Sequence, residues 1–231
     1  MTIWAILPAA GIGRRMGSTT PKQYLTVAGK PVLQRSIERL CAVPAISGVI
    51  VVLHPEDEHF NSLAVADSVE TVSGGDERQE SVRNAMEHLS TRAQPDDWVL
   101  VHDAARPCVL VSDINLLLQE AADHPVGALL AVPQDNTLKL ADETGHVSTT
   151  IDRTNYWQAY TPQLFRYGLL ATALADAAST GRVITDEASA VEALGKKPLL
   201  VMGDRYNIKI THESDLALAE LIIQMQESNH D

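Results

Sequence analysis

The sequence predicts an α/β fold, a mainly parallel twisted sheet flanked by helices with a protruding β-hairpin arm. Three observations lead there. Short apolar runs alternate with amphipathic stretches, the first run ends in a loop of small and basic residues, and 231 residues with 45% hydrophobic content can bury one sizeable core. No repeat, low-complexity tract or linker breaks the pattern. We therefore expect one domain over residues 1-231, with an arm at about 134-155.

Ile3 to Pro8 is a short apolar run that reads as a buried parallel strand delivering its carboxyl end to a site. Pro31 to Val43 reads as a helix, Gly48 to His54 as a strand, and Glu70 to Ser73 as a short strand before the turn Gly74-Gly75. Asp76 with Gln79 makes a D-x-x-Q sequence, which predicts an N-cap at Asp76 and a helix to about His88. A strand at Trp98 to His102, a helix at Asp113 to Asp123 and a strand at Val126 to Val132 continue the alternation. Leu138 and Leu140, the turn Asp142-Glu143-Thr144-Gly145, then Val147 and Ile151 mark a hairpin. A lone hairpin is marginal in water, so the arm should lie against another surface, either its own sheet or a second subunit. Helices are predicted at about Tyr167 to Ser179, Glu187 to Leu194 and Glu213 to Gln226, with a strand at Pro198 to Met202.

The formal net charge of -12 argues against a general nucleic-acid or anionic-membrane binder. No stretch approaches the ~20 apolar residues of a membrane span, and Met1-Thr2-Ile3-Trp4 lacks the start of a signal peptide, so a cytoplasmic protein is expected. Cys41 and Cys108 form no C-x-x-C pair and suggest neither a disulfide framework nor a zinc site. Charge is unevenly spread: residues 1 to 37 hold Arg14, Arg15, Lys22, Lys30 and Arg35 with no acid, leaving -17 for the remainder. Such a segment suits a small polyanion, although basic residues on a solvated face would look the same.

The loop Pro8-Ala9-Ala10-Gly11-Ile12-Gly13-Arg14-Arg15-Met16-Gly17, followed by Pro21-Lys22-Gln23, has the composition of a phosphate cradle. Small residues let backbone N–H groups approach phosphate oxygens, Arg can hold those oxygens bidentately, and Lys adds a movable charge. A glycine-rich strand-to-helix turn with exposed cations is the plainer reading. Two familiar phosphate loops do not fit. The dinucleotide fingerprint needs a third Gly or Ala where Met16 stands, and its acidic residue ~20 positions on is missing. A Walker A loop places Gly directly before Lys, whereas Lys22 follows Pro21.

Seven blocks, in order and over nearly the whole chain, resemble the 2-C-methyl-D-erythritol 4-phosphate cytidylyltransferases. They are the loop Pro8 to Met16 with Pro21-Lys22-Gln23-Tyr24, Gly74 to Arg78, Val101 to Pro107, Asp152-Arg153, Thr161-Pro162-Gln163, Thr185 to Ser189 and Asn207-Ile208-Lys209. The resemblance implies a Rossmann-like fold of the nucleotide-diphospho-sugar transferase type. It also implies transfer of CMP from CTP to methylerythritol 4-phosphate, with release of pyrophosphate, in the non-mevalonate isoprenoid route. The lack of an obvious Ser/His/Asp or Cys/His arrangement agrees, because an anionic phosphate nucleophile needs no base.

By the same resemblance Arg15 and Lys22 are the catalytic cations. Pro8, Ala9, Ala10, Gly11, Gly13, Gly75, Asp76 and Ser81 line the CTP site. Asp103 would meet Mg²⁺ (or another divalent cation) and acceptor hydroxyls, and Lys209 would reach either the triphosphate or the acceptor. Arg106, Thr161, Thr185 and Asp186 fall on the acceptor side, although Thr185 and Asp186 could equally cap the following helix. Thr137 and Arg153 match acceptor-phosphate positions carried on the arm into a partner's site, which implies a homodimer. Ribitol 5-phosphate is the alternative acceptor, and a non-catalytic nucleotide sensor the alternative outside enzymology. With little chain beyond the terminal helix, a single activity is expected.

Overall fold

In a computed structural model, which describes residues 1–11 and 20–228, the apolar Ile3–Pro8 run forms β1 near the middle of a seven-stranded sheet. The further strands of that sheet are β4 (Gly48–Leu53), β5 (Val69–Ser73), β6 (Trp98–Val101), β7 (Gly127–Pro133), β10 (Trp157–Arg166) and β11 (Leu199–Met202). Their spatial order is β11-β7-β10-β6-β1-β4-β5. β1 pairs in parallel with β4 and β6, β4 with β5, and β7 with β11. Such strands are covered on both faces, and β4, β6 and β7 read as unbroken apolar runs for that reason.

One cover holds α1 (Val32–Cys41) and α3 (Val111–Ala121), packing Leu33, Ile37, Leu40, Ile114 and Leu117 against Leu7, Val51 and Leu100. The other holds α2 (Arg78–Leu89), α4 (Tyr167–Thr180) and α5 (Glu187–Ala193), packing Val82, Leu89, Leu170 and Val191 against Ile6, Ile50, Val99 and Phe165. α6 (Glu213–Ser228) builds a third cluster, setting Ile222 and Ile223 with Val27 and Val32 near the small hairpin β2 (Thr26–Val27) and β3 (Lys30–Pro31). Among the described residues no helix is long and apolar enough to cross a membrane.

Two departures from the sequence reading bear on the site. No strand was expected at Trp157–Arg166, yet β10 runs antiparallel between β6 and β7. Its Gln163 pairs with Val101, so Thr161, two residues earlier on an antiparallel strand, lies level with Asp103 past the end of β6. The N-cap of α2 is Glu77, not Asp76. Glu80 is the reason: its carboxylate accepts the backbone N–H groups of Asp76 at 2.9 Å and Glu77 at 3.4 Å, satisfying the helix entrance one position later than the D-x-x-Q pattern predicts. The expected hairpin is present as β8 (Leu138–Ala141) and β9 (Val147–Ile151), a two-stranded sheet of its own with Leu140 and Val147 exposed.

Candidate active site

The parallel strands end along one edge of the sheet, where an open α/β sheet presents its ligand crevice. After β1 come Ala9, Ala10 and Gly11; after β5, Gly74 to Glu77; after β6, His102 to Arg106. These three segments, with Lys22, Ser81 and Lys209, line a cavity that gathers every described member of the expected CTP set: Pro8, Ala9, Ala10, Gly11, Lys22, Gly75, Asp76, Ser81 and Lys209. Gly13 and Arg15 lie outside the described residues.

Each wall is held by a local reason. The Gln23 side chain donates to the Ala9 carbonyl at 2.8 Å, clasping the start of the loop to its end, and a single 3-10 turn at Lys22–Tyr24 sets Lys22 beside this clasp. Lys22 Nζ donates to the Ile210 carbonyl at 3.3 Å, next to Lys209. Gly74 is needed for close approach, since a Cβ there would stand 2.5 Å from Ala10 Cβ and 2.8 Å from Ser81 Oγ. Asp76, released from capping, leaves its carboxylate exposed at the cavity. The +5 segment is only partly a site feature. Lys30 pairs with Glu38 at 2.8 Å and Arg35 with Glu227 at 2.5 Å, which ties α1 to its surroundings.

A second cavity adjoins the first and gathers the expected acceptor residues Asp103, Arg106, Thr161, Thr185, Asp186 and Lys209. Arg78, Asp103 and Lys209 line both and so form the wall between them. Asp103 is buried there among three cations: its Oδ1 is 3.1 Å from Arg78 Nε, and its Oδ2 is 2.8 Å from Lys209 Nζ and 3.6 Å from Arg106 Nε. Burial alone would raise its pKa, but Arg78, Lys209 and Arg106 outweigh that and hold the carboxyl well below the usual range. It is a fixed anion at any working pH. Arg106 donates to the Asn207 carbonyl at 2.6 Å and lies 4.7 Å over the Tyr160 ring. Asp186 does cap α5, accepting the Ser189 N–H at 3.0 Å, while its other oxygen accepts from Gln163 at 2.8 Å, so capping and a place on the cavity wall coexist.

Arg78 and Glu187 are the site residues that the sequence reading passed over. Arg78 forks onto Glu187 at 2.6 and 3.0 Å while its Nε holds Asp103. Burial would lower the guanidinium pKa, but Glu187 and Asp103 more than reverse this. A signal existed: an arginine in the first turn of a helix opposes the helix dipole and calls for an acidic partner. Glu187, itself in a first turn where acids are favoured, hides as an ordinary helix-start residue. Thr137 and Arg153 are not brought to either cavity; they sit exposed just before and just after the hairpin strands, where Arg153 donates to the Gln134 carbonyl at 3.1 Å.

The donor set does not build a protein-held metal centre. Asp103 is one carboxylate with both oxygens engaged by cations, and among the described residues no group of three or more His, Cys, Asp or Glu could hold an ion. What the arrangement offers is two adjoining cavities that share a wall of two cations, Arg78 and Lys209, around the Asp103 carboxylate.

Comparison with known proteins identifies the family. Residues 3–225 match the family model described as 2-C-methyl-D-erythritol 4-phosphate cytidylyltransferase. A relative of that name from Hahella chejuensis is 47% identical over 229 residues, covering 97% of this chain and 95% of its own, and one from Vibrio vulnificus is 46% identical over 224 residues, covering 96% of this chain and 94% of its own. The crystal structure of the Francisella tularensis enzyme of the same name superposes with a TM-score of 0.84 at 36% identity, covering 96% of this chain and 100% of that one. A family model matched over residues 3–225, with a relative and a solved structure matched almost end to end, places the protein in the 2-C-methyl-D-erythritol 4-phosphate cytidylyltransferase family.

Proposed function

We propose that the protein joins CTP to 2-C-methyl-D-erythritol 4-phosphate, giving 4-diphosphocytidyl-2-C-methyl-D-erythritol and pyrophosphate in the non-mevalonate isoprenoid pathway, and that it works in the cytoplasm as a single catalytic domain. The observation that carries this is the wall shared by the two cavities. Arg78, Asp103 and Lys209 face both, so a nucleotide in one and a polyol phosphate in the other meet across a cationic partition.

The phosphate oxygen of the acceptor attacks the α-phosphorus of CTP; that P–O bond forms as the bond to pyrophosphate breaks. The nucleophile arrives as an anion, so no residue has to remove a proton. The work is alignment and charge stabilisation. Lys22 and Arg15 neutralise the charge that builds on the α-phosphate and leaving group, and Lys209 bridges toward the acceptor. The small residues Ala9, Ala10, Gly11 and Gly75 let the nucleotide approach backbone. Asp103, the one carboxylate of this wall, would have to give up a cation partner to meet a Mg²⁺ carried by the triphosphate. Such an ion would supply further charge neutralisation.

The arm makes a homodimer. Supporting this are its exposed Leu140 and Val147 and the position of Thr137 and Arg153 outside the cavities of their own chain, where a partner's acceptor site would use them. The test is pyrophosphate release with CTP plus methylerythritol 4-phosphate or ribitol 5-phosphate. Turnover with the first supports the reading. Activity only with ribitol 5-phosphate overturns the acceptor, and tight CTP binding with no turnover overturns the enzyme.

A further inference from the structure

His102 is fully buried one residue before Asp103, and its ring joins three pieces of chain. Nε2 lies 3.0 Å from the Arg106 carbonyl oxygen. A carbonyl only accepts, so Nε2 carries the ring proton. The ring is fully buried and its two described partners, the Arg106 carbonyl and the Thr161 hydroxyl, are both uncharged, so it stays neutral and has a bare lone pair at Nδ1. That nitrogen is 3.0 Å from Thr161 Oγ1 and must take its hydroxyl proton. The same oxygen accepts the Asp103 backbone N–H at 3.0 Å. A threonine hydroxyl has one proton and two lone pairs. The proton and one lone pair are committed, and the second lone pair is all that the Thr161 hydroxyl can offer the acceptor cavity that the residue lines.

We infer that His102 is a specificity-determining positioning residue: by fixing the Thr161 hydroxyl proton, it makes that corner of the cavity a pure hydrogen-bond acceptor that takes a polyol hydroxyl and turns away a phosphate oxygen. The acceptor substrate is thereby oriented, its hydroxylated carbons against Thr161 and its phosphate elsewhere. This rests on reading the second cavity as the polyol phosphate site. Asn207 stiffens the same corner, its side-chain amide donating to the Thr161 carbonyl at 2.7 Å while its own carbonyl takes Arg106.

The test compares wild type with His102→Leu, which removes the acceptor for the Thr161 proton, and His102→Asn, whose carbonyl can occupy the Nδ1 position. Acceptor KM and kcat are measured by pyrophosphate release and CTP affinity by calorimetry. His102→Leu should raise the acceptor KM about tenfold, the loss of one net hydrogen bond, with CTP affinity within about twofold of wild type, and His102→Asn should recover most of that rise. In a Thr161→Val background, His102→Leu should add no more than about twofold, because the proton it controls is gone. A second measurement avoids changing the buried ring. Thr161→Val should raise the acceptor KM yet leave competitive inhibition by inorganic phosphate unchanged. An unshifted KM in folded His102→Leu, an equal loss with and without the Thr161 hydroxyl, or weakened phosphate inhibition in Thr161→Val overturns the inference. A wild-type protein that turns over no acceptor instead overturns the functional reading on which it rests.

Discussion

Replacing Glu187 with alanine removes the buried half of an ion pair and leaves the other half in place. The Glu187 side chain is 1% exposed and its two oxygens accept from Arg78 at 2.6 and 3.0 Å; the Arg78 side chain is 29% exposed and keeps only Asp103, at 3.1 Å. Breaking a buried pair by deleting one partner costs about 3–5 kcal/mol. Arg78 retains one carboxylate and some water, so the lower end applies, about 3 kcal/mol. For a chain of this length that is a fall in Tm of about 6–12 °C. The control removes both charges. Arg78→Met with Glu187→Leu fills the same space without a stranded cation and should lie within about 1 kcal/mol of wild type. Urea unfolding monitored by circular dichroism, with m unchanged across the series, measures both. A Glu187→Ala cost below about 1 kcal/mol, or a double variant as unstable as the single one, would refute the view that a desolvated charge pair holds α2, α5 and Asp103 together.

Two further outcomes follow from geometry already described. Gly74→Ala should weaken CTP binding about tenfold or more by calorimetry, because the added methyl overlaps Ala10 and Ser81 and spreads the nucleotide cavity at an overpacking cost of about 1–3 kcal/mol. Glu70 tests the opposite environment from Glu187. It accepts from Arg92 at 2.8 and 3.0 Å and meets His88 at 2.9 Å, and those hydrogen bonds pull its pKa down to about 2, yet all three side chains are 37% exposed. Glu70→Gln should cost at most about 1 kcal/mol at pH 7 in low salt and less in 1 M salt. Because the folded pKa is depressed, that contribution is present above about pH 4.5 and disappears as pH falls through about 2.

What could be read in the sequence was local. β1, β4, β6 and β7 announced themselves as apolar runs, and the hairpin as alternation around an Asp-Glu-Thr-Gly turn. β10 did not. Its middle is Thr161-Pro162-Gln163, polar and proline-bearing, and a strand takes such residues only where the chain bends out of regular pairing, as it does between Ala159 and Gln163. The cavity walls divide the same way. The loop before Lys22 carried its chemistry in composition, whereas Arg78 finds Glu187 109 positions away and His102 finds Thr161 59 positions away. No spacing rule links such residues; they become neighbours only once an antiparallel strand lies beside β6. The family resemblance supplied Asp103, Thr161 and Lys209 as site residues, but not the groups that hold them there.

β10 has a mechanical consequence. The chain leaves the arm at Ile151, crosses five residues and enters a ten-residue strand that pairs first with β7, from Trp157, and then also with β6, from Gln163. A force applied to the hairpin therefore reaches the sheet through a short connection and a strand edge held by β7, with no long loop to dissipate it. The break in that pairing falls between Ala159 and Gln163, around Thr161, so strain entering from the arm would be felt first at that corner of the second cavity.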